Sequence, residues 1–136
     1  MSDDLAPTSP LRGRALTRIK ARYDAHVGAG FPVTLEGNAE TLQVAREVDG
    51  INWLTVKGIC EEGIAAGFGD EPGLVFLQTT SNNRYFMTFN EALVIIRDLR
   101  TWGLLSWANW NRLKDLVRAA TQRWQLDAID LEEGWP

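Results

Sequence analysis

The chain has 136 residues, 45% of them hydrophobic, which is enough to bury one core without disulfide or metal staples and too little for two ordinary domains. Its one cysteine, Cys60, excludes an intramolecular disulfide, and a formal charge of −4 gives no general attraction for nucleic acid. No run approaches the roughly 18 apolar residues of a membrane span, and MSDDLAPTSP lacks the basic start and apolar stretch of a secretory signal, so synthesis in the cytoplasm without membrane insertion is expected.

Residues 1–10 are polar, contain Pro7 and Pro10, and read as a flexible N-terminal arm. A first helix follows, with Leu16, Ile19, Tyr23 and Val27 at helical spacing. Its other faces carry the only basic cluster, Arg12, Arg14, Arg18, Lys20 and Arg22. The bland reading is a solvated face and the sharper one a contact for an acidic protein surface. A nucleic-acid reader would add recognition-helix or aromatic-glycine signatures, and these are missing. His26 stands at the end of this helix, where an imidazole interacts with terminal carbonyls. A single histidine with no clustered Cys or acidic ligands assembles neither a metal site nor a catalytic triad.

Gly28 and Gly30 end the helix. Phe31, Val33 and Leu35 then alternate with polar or small neighbours, Glu36 to Ala39 hold the turn pair Gly37-Asn38, and Thr41 to Val44 alternates in return, which predicts a hairpin. A second helix is predicted from about Val48 or Asp49 to Gly67, burying Trp53, Val56, Cys60 and Ile64 and widened by Leu54 and Ile59. Gly58 and Gly63 weaken it or admit a close neighbour, Lys57 and Glu61 form an i,i+4 pair, and Cys60 reads as a buried thiol without chemistry. FGDEPG is a loop with neither the phosphate-binding nor the calcium-loop pattern. Leu74 to Thr80 and Tyr85 to Thr88 form a second predicted hairpin around a polar turn.

Thr88 followed three residues later by Glu91 spells a capping box, so the principal helix is expected to begin at Phe89. Its apolar stripe runs through Leu93, Ile96, Leu99, Trp110, Leu113, Val117 and Trp124. Within TWGLLSWANW the periodicity loosens. Gly103 weakens a helix and Ser106 is able to cap a new one, so the segment is either one long bent helix, the favoured reading, or two helices meeting there. A single helix of about 36 residues spans roughly 50 Å, and one end would then need a partner. After it, QLDAIDLEEGWP mixes apolar and acidic residues. The fold class is therefore α+β, ordered helix, hairpin, helix, hairpin, long helix, with an arm over 1–10, one domain over 11–125 and an acidic, aromatic tail over 126–136.

The sequences ARYDAHVGAG, FPVTLEG, AETLQV, INWLTVKGI, NNRYFMTFNEALVI and NRLKDLVRAA, in this order, resemble a family of tailed-bacteriophage domains of uncharacterised function, often placed in the carboxy-terminal part of tail or tail-fibre-associated proteins. Asn83, Thr88, Glu91, Leu113, Lys114 and Val117 carry the resemblance, which covers about residues 14 to 120. The chain departs from the family in having no long preceding module and in its tryptophan-rich insert at 101–110. The resemblance supplies no catalytic residues. It implies a structural or assembly component of a phage or prophage-derived tail, located in the virion, whose partners are other tail or baseplate proteins, with copies of itself as a further candidate. The alternative is a cytoplasmic protein-binding module or a tail assembly chaperone that leaves the particle.

No enzyme activity, cofactor, metal or small-molecule substrate is expected. Five of the six tryptophans fall within residues 102–135, and on a helical wheel Trp102, Trp107 and Trp110 cannot share one narrow stripe. Trp102, Trp107, Trp110, Trp124, Leu131 and Trp135 are accordingly expected to form a protein interface, against the alternative that all the indoles are core.

Overall fold

A computed structural model describes residues 3–136. Helix α1 (Pro10–Gly28) leads into strands β1 (Phe31–Leu35) and β2 (Asn38–Leu42), helix α2 (Glu47–Ala65), strands β3 (Val75–Gln78) and β4 (Arg84–Met87), helix α3 (Phe89–Ala119) and a short helix α4 (Arg123–Asp127). The fold is α+β in the expected order, with α4 appended. The strands form two separate antiparallel hairpins. Two compact units make up the chain: Val27–Trp102, and the residues up to His26 together with Gly103–Pro136.

In the unit Val27–Trp102, the first hairpin pairs Phe31 with Leu42 and Leu35 with Asn38, leaving a two-residue turn. That turn is Glu36-Gly37 rather than the expected Gly37-Asn38. Both residues have positive φ (50° and 80°), the condition of a hairpin turn whose twist matches its strands, and Asn38 already begins β2. Gly30 also has positive φ (88°), and a Cβ there would lie 2.9 Å from the Leu42 carbonyl oxygen, so the close approach of the chain to β2 at this point requires glycine.

Helix α2 is anchored at its start by Asp49, a buried carboxylate that accepts the Arg46 backbone N–H at 3.0 Å and pairs with the Arg46 guanidinium at 2.8 Å. The guanidinium hydrogen bonds, against the opposing effect of desolvation, hold the Asp49 carboxyl below its usual range. Cys60 is fully buried, and burial, reinforced by the neighbouring Glu61 charge, pushes its thiol up. Trp53, Val56 and Ile64 pack beside it, but Leu54 and Ile59 are exposed. At about 100° per residue those two positions fall on opposite flanks of the Trp53-Val56-Cys60-Ile64 stripe, so they do not widen its buried face. Gly63 admits a close neighbour: a Cβ there would meet the Phe89 ring at 2.3 Å. Lys57 and Glu61 form their predicted ion pair.

The second hairpin pairs Val75 with Met87 and Gln78 with Arg84. Glu40 on β2 ties the two hairpins together by accepting hydrogen bonds from Ser81 Oγ (2.9 Å), Asn83 Nδ2 (3.1 Å) and Tyr85 Oη (3.3 Å), while Thr80 N–H donates to the Thr41 carbonyl at 2.9 Å. The Thr79 hydroxyl, with the Asn83 and Ser81 groups, keeps the Glu40 carboxyl below its usual range. Leu35, Leu42, Cys60, Leu77, Tyr85, Met87 and the α3 residues Phe89, Ala92, Leu93, Ile96 and Leu99 form the core of this unit.

The Thr88 capping box is present in both halves. Thr88 Oγ1 accepts the Glu91 N–H at 3.1 Å and Glu91 Oε1 accepts the Thr88 N–H at 3.4 Å. Thr88→Ala is expected to lower stability by about 0.5–2 kcal/mol. Glu91→Ala should have a smaller effect, because it removes only the longer bond. An unchanged urea midpoint for Thr88→Ala would remove the cap from the account of how α3 begins.

Helix α3 runs unbroken for 31 residues through Gly103 and Ser106, so the two-helix alternative is overturned and Ser106 caps nothing. Ser106 is instead fully buried, with Oγ 3.1 Å from His26 Nε2. The helix ends at Ala119, short of the expected Trp124, where the chain becomes extended at Gln122 before α4. Arg12 meets this end: Nη1 donates to the Val117 carbonyl at 2.8 Å, supplying a partner for one of the carbonyls that a helix end leaves free.

In the unit containing Gly103–Pro136, Ile19, Leu113 and Val117 are fully buried, with Leu16, Trp110, Leu126, Ile129, Leu131 and Trp135 packed around them. The expected flexible arm is docked over its described residues. Asp4 bridges Gln122, Leu5 is buried and donates its N–H to the Thr121 carbonyl at 2.8 Å, and Asp3 accepts the Arg123 N–H at 2.9 Å; residues 1–2 lie outside the described residues. The expected tail over 126–136 is likewise part of the unit. Leu126 belongs to α4, and the Glu133 carbonyl accepts from Asn109 Nδ2 (3.1 Å) and Arg112 Nη2 (3.0 Å). Arg22 pairs with Glu132 at 2.9 Å, so part of the opposite charge of the two chain ends is used within the chain.

Candidate protein-interaction surface

The six residues expected at an interface divide into a structural and an exposed group. Trp102 is only 7% exposed, on the core-facing line of α3, with its ring 5.7 Å from that of Phe31. Trp110 stacks on Tyr23 at 4.6 Å, and Lys114 Nζ lies 3.9 Å from its ring centroid. Trp135 donates Nε1–H to the Leu131 carbonyl at 2.7 Å and lies against His26 (5.1 Å) and Arg22 (5.3 Å), while Leu131 packs on the Ile19 cluster. Trp102 is thus buried, and Trp110, Leu131 and Trp135 are partly buried by contacts within their own unit, which leaves them less surface for a partner than the other two.

Trp107 and Trp124 remain, 52% and 58% exposed. They are joined by residues that sequence reasoning passed over. At about 100° per residue, Leu104, Ala108, Asp115 and Ala119 fall within about 60° of one another, opposite the buried line of Ser106, Leu113 and Val117. Leu104 is 62% exposed, and Leu105 and Leu116 flank the stripe, also exposed. Two shallow depressions lie along it, one lined by Trp107, Ala108, Asn111 and Asp115, the other by Trp124, Gln125 and Ala128. They share Arg112, Leu116 and Ala119, so the surface from Trp107 to Trp124 is continuous. Counting only the apolar residues that face the core hid this stripe; counting those left on the opposite side of the same helix reveals it.

Burial, with the charge of Arg22 adding to it, lowers the His26 pKa and favours the neutral imidazole, whose described neighbours are Ser106 and Trp135. Among the described residues, no group of three or more His, Cys, Asp or Glu is placed to hold a metal ion, and no helix is long and apolar enough to cross a membrane. Comparison with protein-family models, with curated proteins and with solved structures finds no match to this chain.

Proposed function

We propose that the chain is a non-enzymatic structural or assembly component that works through protein–protein contacts, with the face from Trp107 to Trp124 as its contact surface. The exposed Trp107, Leu116 and Trp124 on one continuous face carry this reading, because contiguous exposed apolar surface anchored by aromatics is characteristic of interfaces. The resemblance of residues 14 to 120 to tailed-phage domains makes a virion tail the proposed setting, with another tail or baseplate protein, or a further copy of the chain, as partner.

A photo-cross-linking residue placed at 107 or 124 is expected to join a second chain in assembled tails, whereas one placed at 94 is not. Trp107→Ala and Trp124→Ala should each weaken that association by about 2 kcal/mol or more, with circular dichroism unchanged. A wild-type chain that is strictly monomeric, binds no tail protein, and gives no cross-link from either position would overturn the proposal.

A further inference from the structure

A second feature of the same unit lies on another surface, between α1 and the segment that follows α3. A cleft of about 370 Å³ has partly exposed Leu11, Ala15, Leu126 and Ile129 as its apolar lining, with the fully buried Ile19 and Val117 beneath them. Its rim carries three guanidinium groups, Arg14 and Arg18 one turn apart on α1, and Arg123 at the start of α4. The remaining cations of the α1 basic cluster are engaged within the chain: Arg12 on the α3 carbonyls, Lys20 with Asp24, and Arg22 with Glu132. Arg14, Arg18 and Arg123 make no ion pair among the described residues, although Asp127 lines the same cleft. The sequence as a whole has a net charge of −4, so three unpaired arginines around one apolar cleft are not a by-product of an excess of basic residues.

We infer that this cleft binds an acidic segment of a partner protein, seating one apolar side chain against Leu126 and Ile129 while flanking carboxylates engage Arg14, Arg18 and Arg123. The chemistry selects this occupant. Guanidinium groups present planar donor forks that match carboxylates, and a floor of branched aliphatic side chains rewards an apolar anchor that inorganic anions and nucleic-acid backbones do not supply. The cleft volume is at the lower end of the range for binding pockets, suited to an anchoring side chain rather than a large cofactor. The inference rests on the reading that the chain acts through protein contacts, but its arginines lie outside the lining of the Trp107–Trp124 face, which it adjoins at Ile129.

The test uses the full chain and a fluorescent synthetic peptide of sequence EELEEF, with QQLQQF as its neutral counterpart. Saturable binding of the acidic peptide that weakens steeply with added salt is expected, with the neutral peptide about tenfold weaker or worse. Arg14→Gln combined with Arg18→Gln should reduce affinity at least about tenfold, and Arg123→Gln should weaken it further. These side chains are exposed, so circular dichroism should not change. The Trp107→Ala, Trp124→Ala double variant should bind the peptide as the parent does. Loss of peptide binding in that double variant, equal binding of the neutral peptide, indifference to the arginine substitutions, or no saturation at millimolar peptide would each overturn the inference. So would arginine-dependent binding of a DNA duplex in preference to the peptide. If the peptide fails while cross-links from positions 107 and 124 persist, this inference falls and the proposed function stands.

Discussion

Replacing Trp102 with Ala is expected to lower folding stability by about 3–5 kcal/mol, the range for truncating a large buried aromatic. The indole is 7% exposed and sits on α3 one turn beyond the buried Leu99, with the Phe31 ring 5.7 Å away. Removing it leaves a cavity beside the Phe31 ring, at the end of β1 that pairs with Leu42. Trp107→Ala, five residues along the same helix, should change stability by less than about 0.5–1 kcal/mol, because its ring is half in solvent already. Urea unfolding followed by far-UV circular dichroism separates the two. Similar midpoints for both variants would mean that α3 does not bury Trp102 as described.

That contrast shows how far the sequence could be read. Element order, the Thr88 capping box and the Trp53-Val56-Cys60-Ile64 stripe were legible because each depends on local chemistry: a side-chain oxygen within reach of a free N–H, or a period that keeps apolar groups on one side. The hairpin turn was misplaced by one residue, since Gly37-Asn38 and Glu36-Gly37 both contain a glycine and only strand register decides between them. The continuity of α3 through Gly103 was harder to read. The penalty of a mid-helix glycine is about 1 kcal/mol, and burial of Trp102, Ser106, Leu113 and Val117 along one line is enough to outweigh it. The docking of the arm and of residues 126–136 was not legible at all, because it depends on partners more than 100 positions away, such as Leu5 with Thr121 and Arg22 with Glu132.

The candidate surface was half legible for the same reason. An excess of tryptophans does point to interfaces, but which indoles are free depends on what the rest of the chain covers. Tyr23 covers one face of Trp110, and His26 and Arg22 lie against Trp135. These contacts come from α1, whose Leu16-Ile19-Tyr23-Val27 stripe was legible as an apolar side, but not which indoles it would meet. The three arginines of the α1–α4 cleft were visible only as part of a five-residue basic cluster. Distinguishing them from Arg12 and Arg22 required knowing where the α3 carbonyls and Glu132 lie.

Leu113→Ala and Leu116→Ala, three residues apart on α3, are expected to separate folding from contact. Leu113 has no exposed surface and meets the fully buried Ile19 and Val117, so its truncation opens a void at the centre of that cluster. Its truncation should lower stability by about 2–5 kcal/mol. Leu116 is 43% exposed on the Trp107–Trp124 face, and its truncation should lower stability by less than about 1 kcal/mol while weakening any association made through that face. The physical difference is one of orientation: at about 100° per residue, the two side chains point roughly 60° apart, one into the cluster and one along the solvent-facing flank. Chemical denaturation measures the first effect and cross-linking from position 107 the second. If Leu116→Ala destabilises the fold as much as Leu113→Ala, the apolar face of α3 is part of the core and is not available to a partner.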